Sequence, residues 1–333
     1  MTLSRRIWTL TSFLCYLGAG ATSPLVCSEV DVCTLYGLQP LPSRLRGGRL
    51  SLSAYPKFRY GHQSKGLPRE RVVGQMLREL EKARLLKSRL KAGELIVGAQ
   101  LSLEDSAVVE IFGAAGYDYV LIDAEHGSAT APIVKSMLQA GRHTDTVVLA
   151  RVLRLDPELI RLYLDLGSPG VACPFVETAA QAQHLVDACR YPPLGIRGYG
   201  PRRAGNYGFD ADDYFAQAND SMVCIAMIES ELAIENVSEI TAVEGLDGVL
   251  IGPMDLSINL GVFEDFESDR YLEAVETVRA ACRANGTAMG TGCYSIDHAI
   301  TCRDTGDSLL LALGDEVALR QGAIATLETL RSF

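Results

Sequence analysis

The chain has 333 residues, of which 48% are hydrophobic and 22% charged, and its formal net charge is -10. That length accommodates one large domain or two small ones, and the acidic balance argues against nucleic acid as a partner. Nine cysteines (Cys15, Cys27, Cys33, Cys173, Cys189, Cys224, Cys282, Cys293 and Cys302) are odd in number, scattered, and without a C-x-x-C pair. Neither a zinc site nor a disulfide framework is therefore expected, and small core residues in a reducing compartment fit better.

The first 80 residues differ from the rest. Arg5 and Arg6 precede an apolar run, IWTLTSFLCYLGAGA, which ends in the cleavage-like pattern Ala19-Gly20-Ala21 and is short for a membrane span. From Ser43 to Arg69 there is no carboxylate, while Arg44, Arg46, Arg49, Lys57, Arg59 and Lys65 are basic. A basic, hydroxylated, acid-free stretch reads as a transit peptide. Residues 1–80 are thus expected to be a targeting leader without a packed fold, with 1–21 signal-like and 22–80 transit-like. Residues 81–333 form the folded domain. Signal followed by transit peptide resembles the bipartite leaders of plastids bounded by extra membranes. A mitochondrial presequence or entry to the secretory pathway are the alternatives, and a misplaced start codon is the bland one. No membrane association is expected of the mature protein.

Arg71 to Leu90 carries Val73, Met76, Leu77, Leu80, Leu85, Leu86 and Leu90 at helical spacing, and Gly93 ends it. Alternating units follow. Strands are expected at Glu94–Leu103, Tyr117–Glu125, Val147–Val152, Gly170–Val176, Met222–Glu229, Gly248–Gly252, Ala288–Cys293 and Ser308–Leu313. Helices stand between the first of them at Ala107–Ala115, Ile133–Ala140 and Pro157–Leu166, the last with proline in its first turn, and another runs up to Cys189. Near-continuous apolar runs such as VLI and VVLA suit a parallel sheet buried on both faces. Eight βα units give a (β/α)8 TIM barrel, and such a barrel needs about 250 residues. An open doubly wound sheet is the alternative. Gly198-Tyr199-Gly200 lacks the third glycine of a dinucleotide turn and does not follow a strand.

The C-terminal ends of parallel strands are where sites are built. There, strands five and six present Glu229 and Asp255, two hard carboxylates that suit Mg²⁺, Mn²⁺ or another divalent cation such as Co²⁺. The plainer readings are a helix cap and a turn. Strand two ends in Asp123-Ala124-Glu125-His126-Gly127. His126 is a candidate acid/base, and Asp123, three residues upstream, is placed to hold the ring's tautomer. Strand three ends in Arg151, a carboxylate or enolate clamp or else a salt-bridge partner of Asp123. No lysine ends a predicted strand, so a Schiff-base route is not expected. Together these groups fit chemistry that makes or breaks a C–C bond beside a carbonyl.

The segments YDYVLIDAEHG, RYPPLGIRGYG and GLDGVLIGPMDLSINLG resemble the HpcH/HpaI aldolase/citrate lyase family. Within it they are nearest the metal-dependent class II pyruvate aldolases that act on 4-hydroxy-2-oxoheptanedioate. The resemblance runs from about Leu85 to the end. It implies a (β/α)8 barrel of the phosphoenolpyruvate/pyruvate-binding type, a homo-oligomer (a hexamer with an exchanged C-terminal helix), and a 2-oxo acid and an aldehyde as small-molecule reactants. It further implies metal ligands at Glu229 and Asp255, a base at His126 partnered by Asp123, and an enolate-stabilising Arg151. Substrate contacts are implied at Gly252, Pro253, Met254, Gly200, Pro201 and Met227. Two positions depart from the family pattern: Met227 stands where glutamine is usual, and Pro201, which has no N–H, where serine is usual. Arg202 and Arg203 follow, either as surface charge or as part of a changed acceptor pocket. The alternatives are a CoA-ester lyase of the citrate or malyl type and an inactive barrel serving as a scaffold.

Overall fold

The structure, a computed structural model, describes residues 75–332. The leader expected at 1–80 lies outside them except for residues 75–80. Helix α1 (Gln75–Lys91) leads into β1 (Ile96–Leu101), α2 (Ser106–Ala115), β2 (Tyr119–Asp123), α3 (Ala131–Ala140), β3 (Val147–Arg151), α4 (Pro157–Leu166) and β4 (Gly170–Cys173). Then come α5 (Ala179–Cys189), α6 (Ala211–Ser221), β5 (Val223–Ile228), the short α7 (Glu231–Glu235) and α8 (Val237–Thr241), and β6 (Gly248–Ile251). The chain continues through α9 (Pro253–Asn259), α10 (Asp269–Asn285), β7 (Ala288–Gly292), α11 (Ile296–Thr305), β8 (Leu309–Ala312) and α12 (Asp315–Arg331).

The strands pair in parallel in chain order and β1 closes on β8, so the sheet is a barrel and not an open doubly wound sheet. Every strand is shorter than its apolar run, because the last residues of each run leave the ladder to build the mouth. Pro174 and Phe175, for example, follow the end of β4 at Cys173, and a proline has no N–H to continue a ladder. Helix α6 has no counterpart in the periodicity reading. Only Tyr214, Ala218 and Ser221 of it are buried, too thin a stripe to register as an apolar period. Local signals set the helix ends where they are strong. Asp156 accepts a hydrogen bond from Glu158 N ahead of Pro157, and Thr178 with Gln181 forms a capping box on α5.

Side chains alternate across each strand, so the barrel has two apolar zones. The outer one lies between sheet and helices. The inner one is built from Ile96, Tyr119, Leu121, Val147, Leu149, Ile225, Met227, Leu250, Leu309 and Leu311. A Cβ on Gly98 would collide with the Tyr119 ring, so glycine there makes room for it. Tyr119 Oη in turn donates to Leu310 O at 3.2 Å.

Three residues of α1, Ala83, Leu86 and Leu90, belong to the inner zone. Helix α1 therefore plugs the barrel floor, with Leu80 facing the outer zone at 1% exposure. Lys82, buried beside Glu79 at 2.9 Å, donates to Gly141 O at 3.0 Å and ties the helix to the end of α3. A boundary at 80/81 thus falls inside a packed helix. Each leucine of the plug is worth about 2–5 kcal/mol if cut to alanine. A protein beginning at Gln75 should melt like the full chain. One beginning at Glu94, without α1, should bind a hydrophobic dye and lose its cooperative melt. Identical melting of the two contradicts the plug.

Candidate active site

The same alternation that points Tyr119 and Leu121, Val147 and Leu149, and Ile225 and Met227 inward puts Asp123, Arg151 and Glu229 at the next inward positions. The barrel interior changes there from apolar to charged. Asp123 and Arg151 are direct register partners on β2 and β3. Arg151 Nε donates to Asp123 Oδ1 at 3.0 Å and Nη2 to Oδ2 at 2.6 Å. Asp123 also accepts the backbone N–H groups of Glu125 and His126, both at 3.1 Å, and Gln100 Nε2 at 2.8 Å. Burial pushes its carboxyl up, but the Arg151 hydrogen bonds and charge, with the two N–H groups, hold it below the usual range.

Glu125 follows β2 at the same parity. It is nearly buried, 3.3 Å from Arg151 Nε, yet its Oε2 has no hydrogen-bond partner. Burial first, then Asp123 and Asp255, push its carboxyl up, against the pull of Arg151 and His126.

Glu229, just past β5, is 1% exposed. Its Oε2 accepts Phe175 N at 3.0 Å, and Phe175 holds a positive φ of 49° to present that donor. Its Oε1 occupies the space a Cβ on Gly252 would need, so only glycine at that position lets the carboxylate lie flat against β6. Burial, opposed by the Phe175 hydrogen bond and reinforced by Glu125 and Asp255, pushes the carboxyl up to about 7. Asp255 stands half-buried in the first turn of α9, behind Gly252 as N-cap and Pro253 at N1.

The donor set fits a hard divalent cation on three observations. One buried oxygen is orphaned, the carboxyls of Glu125 and Glu229 are both raised, by burial first and then by neighbouring carboxylates, and every donor is a carboxylate. Glu229 and Asp255 would hold it, with Glu125 beside them.

Two expectations need correction. Asp123 does not orient the His126 ring, because Arg151, Gln100 and two backbone N–H groups already engage both of its oxygens. It takes the histidine's backbone N–H instead. The ring is 62% exposed, and its nearest acid is Glu125, with Nε2 3.9 Å from Oε2. Gly200 and Pro201 do not reach the mouth of their own barrel. They pack against the last turn of α4, where Ala204 N donates to Asp165 O and a Cβ on Gly200 would meet Asp165 Oδ2. That turn leads into β4 and so lies at the floor end. Arg203 is buried there, donating to the carbonyls of Leu166 and Leu138 at the ends of α4 and α3. It caps two helices and cannot line an acceptor pocket beside Glu229. Arg202 faces a cavity of about 530 Å³ bounded by Arg161, Asp165 and Tyr207, on the same outer side.

Met227 is buried in the inner zone one inward step below Glu229, and Met254 is exposed beside Pro253. The sequence reading passed over Glu125, Gln100 and Phe175. Parity with Asp123 would have singled out Glu125. Nothing in the sequence marks the Phe175 N–H.

The model of the HpcH/HpaI aldolase/citrate lyase family matches residues 98–320. The 2-keto-3-deoxy-L-rhamnonate aldolase of Escherichia coli strain K12 is 37% identical over 240 residues, 72% of this chain and 89% of that protein. An HpcH/HpaI aldolase/citrate lyase family protein from Burkholderia cenocepacia J2315 superposes with a TM-score of 0.72 at 31% identity, over 74% of this chain and 99% of that one. An HpcH/HpaI aldolase from Desulfitobacterium hafniense DCB-2 gives 0.70 at 29%, over 74% and 97%.

Glu229 supplies a pH test. Its folded-state value, about 7, lies above its ordinary 4.5. Its contribution to stability is therefore complete below about 4.5 and lost as the pH rises through 7. Metal-free protein should melt higher at pH 6 than at pH 8. Glu229→Gln should raise stability at pH 8 by about 1–3 kcal/mol, read as a higher melting temperature, and flatten the profile between the two. A wild-type profile that rises from pH 6 to 8 and is unmoved by the substitution contradicts the burial argument.

Proposed function

Because this chain belongs to the HpcH/HpaI aldolase/citrate lyase family, and so is a carbon–carbon lyase of the aldolase type, we propose that its mouth cleaves or forms the C–C bond of a 4-hydroxy-2-oxo acid. The products of cleavage are pyruvate, or a related 2-oxo acid, and an aldehyde. One observation carries the reading. Asp123, Glu125, Glu229 and Asp255 crowd one rim, with the Arg151 guanidinium and the exposed His126 facing them. A rim so rich in buried carboxylates calls for a cation, and Mg²⁺, Mn²⁺ or Co²⁺ fits its oxygens. When bound, the cation polarises a 2-oxo acid and offsets enolate charge.

The chain's own groups supply the rest. Asp123 occupies Nε and Nη2 of Arg151 and fixes its plane. Nη1 takes part in none of the described hydrogen bonds and is the donor left for a developing oxyanion. The first-turn N–H groups of α9, at Met254 and Asp255, are unused by the helix and suit a substrate carboxylate. His126, at the exposed rim beside Glu125, is placed to move the proton of the aldol hydroxyl. Met227 offers no amide beside the cation site, so it cannot hydrogen-bond a 2-oxo group.

Helix α12 exposes Leu319, Ile324, Leu327 and Leu330. An unpartnered apolar helix supports assembly into a homo-oligomer by its exchange, a hexamer on the family resemblance, and light scattering on the intact chain reads the mass. No helix of the described residues is long and apolar enough to cross a membrane. We further propose the residues preceding helix α1, which begins at Gln75, as the targeting leader, directed to a plastid.

With pyruvate and Mn²⁺ in deuterium oxide, the protein should exchange the methyl protons of pyruvate and release pyruvate from 4-hydroxy-2-oxo acids. His126→Ala should lower turnover by about 10²–10⁴. Arg151→Ala should cost as much or more. Losses under threefold in both would point to an inactive scaffold. A fluorescent fusion carrying residues 1–80 should reach an organelle, and a diffuse cytosolic signal contradicts the leader.

A further inference from the structure

The connection from β7 to α11 brings three soft donors together away from the carboxylate rim. Cys293 continues the β7 ladder by one hydrogen bond, its N–H to Leu311 O at 2.8 Å. His298 and Cys302 lie one turn apart on α11, so their side chains share a face. Ser295 caps that helix by accepting from His298 N at 3.0 Å, which sets the first turn against the end of the strand. The Cys302 Sγ to His298 Nε2 distance is 3.3 Å, and one donor atom from each of Cys293, His298 and Cys302 lies within 4.8 Å of the others. Both thiols are buried. The imidazole plane is set by stacking: Tyr294 lies 3.9 Å from it at 15°, and Phe266 lies 4.4 Å from Tyr294 at 17°. Its buried Nδ1 has no hydrogen-bond partner, so the ring clamp, and not a second hydrogen bond, aims Nε2 at the sulfurs.

We propose that Cys293, His298 and Cys302 form a second metal site, selective for Zn²⁺ and chemically separate from the oxygen site at the mouth. Tetrahedral Zn²⁺, with bonds of about 2.3 Å to sulfur and 2.0–2.1 Å to nitrogen, needs donors about 3.4–3.8 Å apart, which small side-chain rotations supply here. Thiolates and imidazole suit Zn²⁺, whereas Mg²⁺ prefers carboxylate oxygens. Two thiolates neutralise the ion, so no net charge is buried. The nearby acid Asp307 is no ligand, because it is engaged by Thr291 Oγ1 at 2.6 Å and by Arg279 Nη2 at 3.1 Å. The fourth position is left to water or an added ligand, the pattern of open Cys₂His sites.

The sequence expectation of no zinc site rested on the absence of C-x-x-C. The spacing here is C-x4-H-x3-C, with strand and helix supplying the approach that a tight turn supplies elsewhere. The site has a structural consequence. Gly292, just before Cys293, packs against Pro253, since a Cβ on it would lie 3.2 Å from the proline ring. Zn²⁺ would therefore brace the wall beside the first turn of α9, which carries Asp255.

The test is Co²⁺ titration of the intact, reduced protein, read by thiolate-to-metal charge-transfer absorption, which carboxylate ligands do not give. Wild type and Glu229→Gln should both develop the band and saturate at one equivalent, and Zn²⁺ should displace it. Cys302→Ser should abolish it, His298→Asn should weaken Co²⁺ binding at that site at least tenfold, and Cys189→Ser should leave it unchanged. The inference is overturned if reduced wild type gives no band, or if Cys302→Ser and His298→Asn both keep it. It is equally overturned if Cys293 and Cys302 resist reduction as a disulfide, so that Co²⁺ occupies the oxygen site alone. A failure here leaves the mouth untouched, since Glu229→Gln and the exchange of pyruvate protons report on that site separately.

Discussion

Charge balance at the barrel mouth is the constraint on which the active-site arrangement depends. Arg151 is held by its direct register partner Asp123 and lies 3.3 Å from Glu125. Loss of one partner from a buried pair of this kind costs about 3–5 kcal/mol, because the other charge is left without compensation. Yet one guanidinium offsets only part of the charge on Asp123, Glu125, Glu229 and Asp255. Burial first, and then the negative charge of Glu125 and Asp255, pushes the Glu229 carboxyl up to about 7, and a buried Glu125 oxygen is left without a hydrogen-bond partner. A site left this unsatisfied in its bare form gains most from a divalent cation.

The rest of the molecule keeps those groups at close quarters. Alternation along β2, β3 and β5 stacks them on an apolar inner zone, and α1 seals that zone from below. A dry layer beneath the carboxylates lowers the local dielectric, which is why burial leads the causes of the shift at Glu229. Glycine at position 252 and the positive φ of Phe175 are local costs of the same design. The first clears space for one Glu229 oxygen and the second supplies an N–H to the other.

The barrel was legible because each of eight apolar runs ended in a turn and most were followed by a helical stripe. Glu229, Asp255, Arg151 and His126 were legible as strand-end groups, and the structure brings the first three into one electrostatic cluster with Glu125. Partnership was less legible. Asp123 lies three residues from His126 in the chain, but register sets Arg151 opposite it, and a cross-strand contact outranks sequence proximity. Gly200 and Pro201 stood in a motif-bearing segment whose place, at the floor end of α4, depends on tertiary packing that periodicity does not report. The approach of Cys293 to His298 and Cys302 was hidden for the same reason, since it depends on where β7 hands over to α11.

The most direct measurement is an anomalous difference map from crystals grown with Mn²⁺. The account predicts a peak at the mouth, with oxygens of Glu229 and Asp255 each about 2.0–2.2 Å from it. A map with no peak there, or with Mn²⁺ bound only by other groups, contradicts the assignment of this rim as the metal site.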